Sequence, residues 1–189
     1  MANSDSPQGL RPIKYLSGAP YNGAGNVYHV ASGDGTIINP GDPVVLTGTA
    51  DTRGIPTVTK ATAGATNRIT GVMISMTNGE STVLQDSNIS TTTATSQYIL
   101  VEDNPDVVYD VQCSGTLAVT DIGETANLLI PVSTVDGKSQ TEIGAFAGLA
   151  TSQVRVLRLR DVENNEVGLN ANVEVVINLP TTANDTAGV

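Results

Sequence analysis

The sequence predicts an all-β protein: an antiparallel β-barrel or sandwich-like domain with an extended N-terminal arm and little helix. Between Val27 and Met76, short apolar runs (Val27 to Val30, Val44 to Leu46, Ile69 to Met76) alternate with the turn clusters SGDG, NPGDP and AGATN. Those clusters join Gly or Pro to residues that tolerate positive φ or preset a bend. Val, Ile and Thr dominate between them, and these residues suit a pleated, half-buried surface. Further on, VVYDVQC (Val107 to Cys113) and VEVVINL (Val173 to Leu179) alternate with a period of two, the pattern of a strand with one buried face.

Residues 1–26 carry Pro7, Pro12 and Pro20, which oppose helix and favour extended backbone. Their centre, LRPIKYL, is apolar and basic in an otherwise acidic chain. This is the expected arm, with the chemistry to add to a neighbour's sheet edge through main-chain hydrogen bonds and side-chain anchors. Residues 27–180 are the expected β domain. It is either one unit or two, 27–76 and 97–180, joined by the polar stretch 77–96. That stretch holds a hairpin signal at Asn78-Gly79 and a formal glycosylation acceptor at Asn88-Ile89-Ser90. Residues 181–189 read as a flexible tail.

Within the second half, Gln97 to Glu102 (QYILVE) reads as a buried strand and DNPD as a turn. In VVYDVQC, Val107, Tyr109, Val111 and Cys113 share one face, with Val108, Asp110 and Gln112 on the other. Glu102, Asp103, Asp106 and Asp110 bracket the turn without EF-hand spacing, so they read as solvated carboxylates and no metal is expected. DIGETANLLI from Asp121 and EVGLNANVEV from Glu166 echo each other. Gly123 with Ala126-Asn127, and Gly168 with Ala171-Asn172, are expected to make equivalent bends, each feeding a strand. A short helical turn is expected near Ala145 to Ala150. In QVRVLRLRDV, Val154 and Val156 alternate on one face while Leu157 and Leu159 fall on the other. Such a slip predicts a bulge or a barrel corner. In the last strand Val173, Val175, Ile177 and Leu179 face inward.

Composition narrows the function. The chain of 189 residues has no Trp and a single Phe, Phe146. Val, Ile, Leu and Ala must fill the core, burying less area per residue than aromatics do, so self-association is expected to supply part of the stability. A net charge of −10 and a pI near 4.3 argue against nucleic-acid partners, which need clustered Lys and Arg, and against anionic membranes. The nearest basic cluster, Arg155, Arg158 and Arg160, reads as a solvated strand face paired with Asp or Glu. Cys113 is the sole cysteine; it has no intrachain disulfide partner and reads as a small core hydrophobe. A nucleophilic role would need a base, and His29 is the only histidine. P-loop, dinucleotide, zinc-hydrolase and nucleophile-elbow patterns are all missing. Asp34 and Asp42 each have a turn explanation. No catalysis, cofactor or metal is expected.

The N-terminus lacks a signal-like apolar segment and no stretch approaches the ~20 apolar residues of a membrane span, so synthesis in a cytoplasm is expected. Richness in Thr, Ala, Gly and Val with few Lys resembles proteins that work outside cells. A virion component satisfies both conditions.

The residues SPQGLRPIKYLSGAPYNG, INPGDPVVLTGTAD, GIPTVTKATAGA, ITGVMIS, YILVEDNPDVVYDVQ, DIGETANL and DVENNEVGLNANVEVVIN together resemble the capsid decoration, or cement, proteins of tailed phages. The likeness spans most of the chain and is weakest at 77–96 and 132–150. It implies a mostly β protein, often trimeric, that binds the phage major capsid protein on the virion exterior after synthesis in the host cytoplasm. On that footing Leu10, Arg11, Pro12, Ile13, Lys14, Tyr15 and Tyr21 are the candidates for capsid or neighbour contacts, the alternative being packing on the protein's own barrel. The competing class is a phage tail or fibre component, or a carbohydrate-binding adhesin module, although sugar sites usually use exposed aromatics and this chain has no Trp.

Overall fold

A computed structural model describes residues 3–77, 97–132 and 137–182. Most of the polar stretch 77–96, with its hairpin and glycosylation signals, and the tail beyond residue 182 lie outside them. The chain is nearly all β. Its strands in order are β1 (Arg11–Tyr15), β2 (Asn26–Val30), β3 (Pro43–Ala50), β4 (Pro56–Lys60), β5 (Gly71–Thr77), β6 (Gln97–Glu102), β7 (Val107–Gln112), β8 (Thr125–Leu129), β9 (Glu142–Phe146), β10 (Val154–Leu159) and β11 (Asn172–Ile177). Among the described residues the only helical element is a 3-10 turn, Val119–Asp121. Two sheets result: a closed barrel in the order β2-β4-β3-β5-β6, and a six-stranded sheet in the order β1-β7-β11-β10-β8-β9.

The apolar runs of the first half become β2, β3 and β5. Register shifts at Leu46/Ala50 and Met73/Ser75 supply the bends that closure needs. One pairing is parallel, His29 opposite Thr57, and joins β2 to β4. Tyr28, Val30, Ile38, Val44, Val58, Met73, Ile99 and Val101 fill the interior. At Gly71 two strands come too close for a side chain: a Cβ would overlap the Glu102 carbonyl oxygen and lie 2.7 Å from Val101 Cγ1.

β6 differs from the expected division. Gln97–Glu102 reads as the start of a second unit, but it pairs with β2 and β5 and completes the barrel. The boundary between sheets falls at the turn after Glu102. The reason is pairing: Asn26 to Val30 lie in continuous register with Val101 back to Gln97.

In the second sheet Val107, Tyr109, Val111 and Cys113 line the core with Val154, Val156, Val173, Val175, Ile177, Ala126, Leu128 and Ile143. Leu179 is half-buried rather than inside. The phase slip in β10 is a register shift between Val156 and Arg158. The echoed segments lead into β8 and β11, which flank β10 on its two sides, and Ala126 and Ala171 are both fully buried. The helical turn expected near Ala145 to Ala150 is absent. Glu142–Phe146 pairs with β8 instead, because Ile143 buries into the sheet core, and a non-helical turn follows.

The two sheets pack as one body. Ala61, Ile69 and Val72 join the core of the six-stranded sheet. Gln153, fully buried, donates to the Thr62 and Asn67 carbonyls at 2.9 and 3.2 Å and accepts from Gly64 N and Leu128 N, both at 3.2 Å. A second junction centres on Asp42. Its Oδ2 lies 2.8 Å from Lys60 Nζ and accepts from Asn39 N at 2.9 Å. Its Oδ1 accepts from Ser139 Oγ at 2.6 Å and Thr141 Oγ1 at 3.2 Å. Asp42 does sit in its expected turn, with its N bonded to Asn39 O at 2.9 Å, yet its side chain joins barrel to sheet.

Candidate functional site

The arm is not a free extension. Residues 11–15 form the edge strand β1, with Arg11 opposite Asp110, Pro12 opposite Tyr109, Lys14 opposite Val108 and Tyr15 opposite Val107. Just before it, Leu10 is fully buried in the protein's own core and its N–H donates to Gly41 O at 2.9 Å. The arm therefore adds to a sheet edge as its sequence suggests, but the edge belongs to its own chain. A neighbour lies farther away, and LRPIKYL meets its own β7 first at high effective concentration.

Each of the seven candidates has an intramolecular place. Arg11 pairs with Asp110 at 2.8 Å and Lys14 with Glu174 at 2.6 Å. Ile13 sits at the register shift between Pro12 and Lys14. Tyr15 packs against the core, donates to Asn22 Oδ1 at 3.1 Å and meets the Tyr21 ring at 6.2 Å between centroids. Tyr21 donates to Ala24 O at 2.8 Å; burial first, then Glu102, push its hydroxyl pKa up. Beside the arm lies an open, mostly apolar groove of about 320 Å³ lined by Leu10, Arg11, Pro12, Pro40, Met73 and Ile74.

The arm does complete a charged face. Arg11 and Lys14 of β1 lie on the side of the sheet away from the core, with Asp110 of β7, Glu174 of β11 and Arg158 of β10. Asp110 and Glu174 are direct cross-strand neighbours, an arrangement that repels unless cations intervene. Four do. Besides Arg11 and Lys14, Arg158 Nε lies 2.8 Å from Glu174, and Arg160 reaches both carboxylates, at 3.4 Å to Glu174 and 3.9 Å to Asp110. Burial opposes ionisation of Glu174, but Lys14, then Arg158 and Arg160, offset it and hold the carboxyl below its usual range. Arg155, opposite Val176 on the same face, is exposed, and among the described residues it has no ion-pair partner.

The result is lopsided. The carboxylate side chains are 11% and 5% exposed, whereas Arg11 and Arg158 are 56% and 61% exposed. Five of the chain's nine basic side chains share this face with only two acids, so the face is net positive on a chain of formal charge −10. The sequence reading treats Arg155, Arg158 and Arg160 as a paired strand face. That pairing exists for Arg158 and Arg160, and their joining with Arg11 and Lys14 follows from the strand order, which no local pattern marks.

At one end of this sheet, loops 115–124 and 161–169 are bonded together through Leu117 N to Gly168 O at 2.9 Å. They carry Asp121, Glu124, Asp161, Glu163 and Glu166 and no basic residue. They also expose Val119, Val162, Val167 and Leu169, at 73%, 46%, 43% and 58%.

The remaining candidates lie apart. Cys113 is buried in the six-stranded sheet core, and burial, with Asp121 and Glu142, pushes its thiol pKa up to about 12. His29 is in the barrel, its Nδ1 2.8 Å from Thr57 Oγ1. Asp34 holds its turn by accepting from Thr36 N at 3.2 Å. Glu102, buried rather than solvated, accepts from Asn104 N and holds its own turn, and Asp103 accepts from Asn26 and Tyr28 and ties that turn to β2. Compared with protein-family models, curated proteins and solved structures, the chain matches none.

Proposed function

We propose that this chain is a virion structural protein that binds the outer surface of a tailed-phage major capsid shell and stabilises it against internal DNA pressure, without catalysis. The exposed apolar rim formed by Val119, Val162, Val167 and Leu169 carries the reading. Large apolar side chains exposed on two loops that are bonded together are what a protein partner covers. The likeness of the sequence motifs to phage decoration proteins names the partner. The acidic charge agrees with placement away from packaged DNA.

The mechanism is mechanical. A shell loaded from within opens by separating neighbouring subunits. A protein bridging them adds interface, typically ~800 Å² per partner, that must be broken first. An oligomer of the chain, a trimer on the decoration-protein pattern, multiplies weak contacts through high effective concentration.

Co-sedimentation with purified expanded and unexpanded shells tests this. Saturable binding to shells is expected. Assembly of the protein into rings or tubes by itself, with no affinity for shells, favours a tail component and contradicts the proposal.

A further inference from the structure

We propose that the outer face of β1, β7, β11 and β10 is a docking surface for a short acidic segment of a partner protein. Its assignment to the shell protein in particular rests on the function proposed above.

The face holds more cation than its own structure needs. Asp110 and Glu174 require neutralising, and Arg160 with Lys14 stands half-shielded over them, at 25% and 26% side-chain exposure. Arg11, Arg158 and Arg155 project further into solvent. Among the described residues Arg155 neutralises no carboxylate. The buried carboxylates fix Arg11 and Arg158 by one nitrogen each (Nη2 and Nε); Arg11 Nη1 also makes a long bond to Gln8 Oε1 at 3.4 Å, and the remaining guanidinium N–H groups, above all those of Arg158, are left to donate outward. Side chains already held in place lose little rotamer freedom on binding, and guanidinium forks match carboxylates in geometry.

Size and surroundings select the occupant. From β1 to β10 the face spans three strand spacings, roughly 14 Å, about the length of four or five extended residues. Beyond Arg160 the surface turns acidic through Asp161, Glu163 and Glu166. A long polyanion such as a nucleic acid or sulfated glycan laid along the strands would run onto those carboxylates and be repelled. A compact segment with about three acids would not.

The probe is a fluorescein-labelled hexaglutamate peptide, followed by anisotropy on the full chain at about 50 mM salt, where screening is modest. Arg155→Glu and Lys138→Glu change net charge equally, but only Arg155 is on the face. We expect hexaglutamate to bind, Arg155→Glu to weaken it about fivefold or more, and Lys138→Glu to weaken it less than about twofold. Absence of binding overturns the inference. So does equal weakening by both variants, which would report net charge alone. Tighter binding of a heparin hexasaccharide or a DNA hexamer overturns the choice of an acidic protein segment. Shell co-sedimentation separates the two claims. If shells bind wild type and Arg155→Glu alike, the face is not the shell contact and its assignment to the shell protein falls, while the shell-binding function stands. If neither binds shells but the peptide results hold, the function falls and the face stands.

Discussion

Replacing Lys60 by Met tests the junction that makes barrel and sheet one body. Lys60 Nζ lies 2.8 Å from Asp42 Oδ2 and donates to Pro131 O at 3.1 Å; the two side chains are 5% and 0% exposed. Met keeps the stem and deletes the charge, leaving the Asp42 carboxylate buried without a cation. Removing one partner of a buried pair costs about 3–5 kcal/mol. Asp42 keeps three donors, Asn39 N, Ser139 Oγ and Thr141 Oγ1, and hydrogen bonds to a charged group are strong. The cost should therefore sit at the lower end, about 3 kcal/mol. For a chain of this size that lowers Tm by roughly 6–12 °C. Urea unfolding followed by far-UV circular dichroism and tyrosine fluorescence measures it, with an unchanged m-value showing that stability alone moved. Adding Asp42→Asn to Lys60→Met should recover part of the loss, so the cycle shows coupling of about 1 kcal/mol or more. A single-variant loss below about 1 kcal/mol would refute the assignment of this pair as a junction.

Gly71→Ala should cost about 1–3 kcal/mol by urea midpoint, because its Cβ would meet the backbone at the Glu102 carbonyl and at Asp103 Cα, the latter 2.9 Å away; backbone on a paired strand cannot swing aside. Glu174 has a folded pKa below its ordinary value of about 4.3, set by Lys14, Arg158 and Arg160 against the burial that opposes it. Its stabilisation is thus fully present above about pH 4.3 and is lost as pH falls through the lower folded value. Glu174→Gln should flatten the pH dependence of the urea midpoint below that point, and an unaltered profile would contradict the ion-pair reading. Cys113, buried and with its thiol pushed up to about 12, should resist a thiol-specific reagent at pH 8 until urea unfolds the chain, and prompt labelling of the native protein would count against this placement.

The fold class was legible because its signals are local. Period-two runs such as VVYDVQC and turn clusters such as NPGDP fix strands and bends without knowledge of the rest. Pairing is not local. Nothing in QYILVE says that it joins β2 and β5 rather than the later strands, and the parallel contact of His29 with Thr57 has no marker in either segment. The arm shows the same limit. LRPIKYL reads as a segment that adds to a neighbour's sheet edge, but it pairs with its own β7, because the main-chain groups it offers are the same for either edge. Deleting residues 1–26 would therefore remove Leu10 from the core and strip Arg11 and Lys14 from the Asp110–Glu174 pair, so point changes on the face test binding more cleanly. The basic cluster at Arg155 to Arg160 was visible in sequence. Its extension by Arg11 and Lys14 depends on the strand order that sets β1 two places from β11. Asp42 reads as a turn residue in the sequence because its partners Lys60, Ser139 and Thr141 come from distant elements.

Scanning calorimetry of purified phage shells, with and without saturating protein, bears most directly on the proposal that this chain reinforces them. A rise in the shell-rupture transition that saturates with added protein is expected, alongside a separate transition for the free chain. An unmoved rupture temperature in shells shown by sedimentation to carry the protein would contradict the proposal.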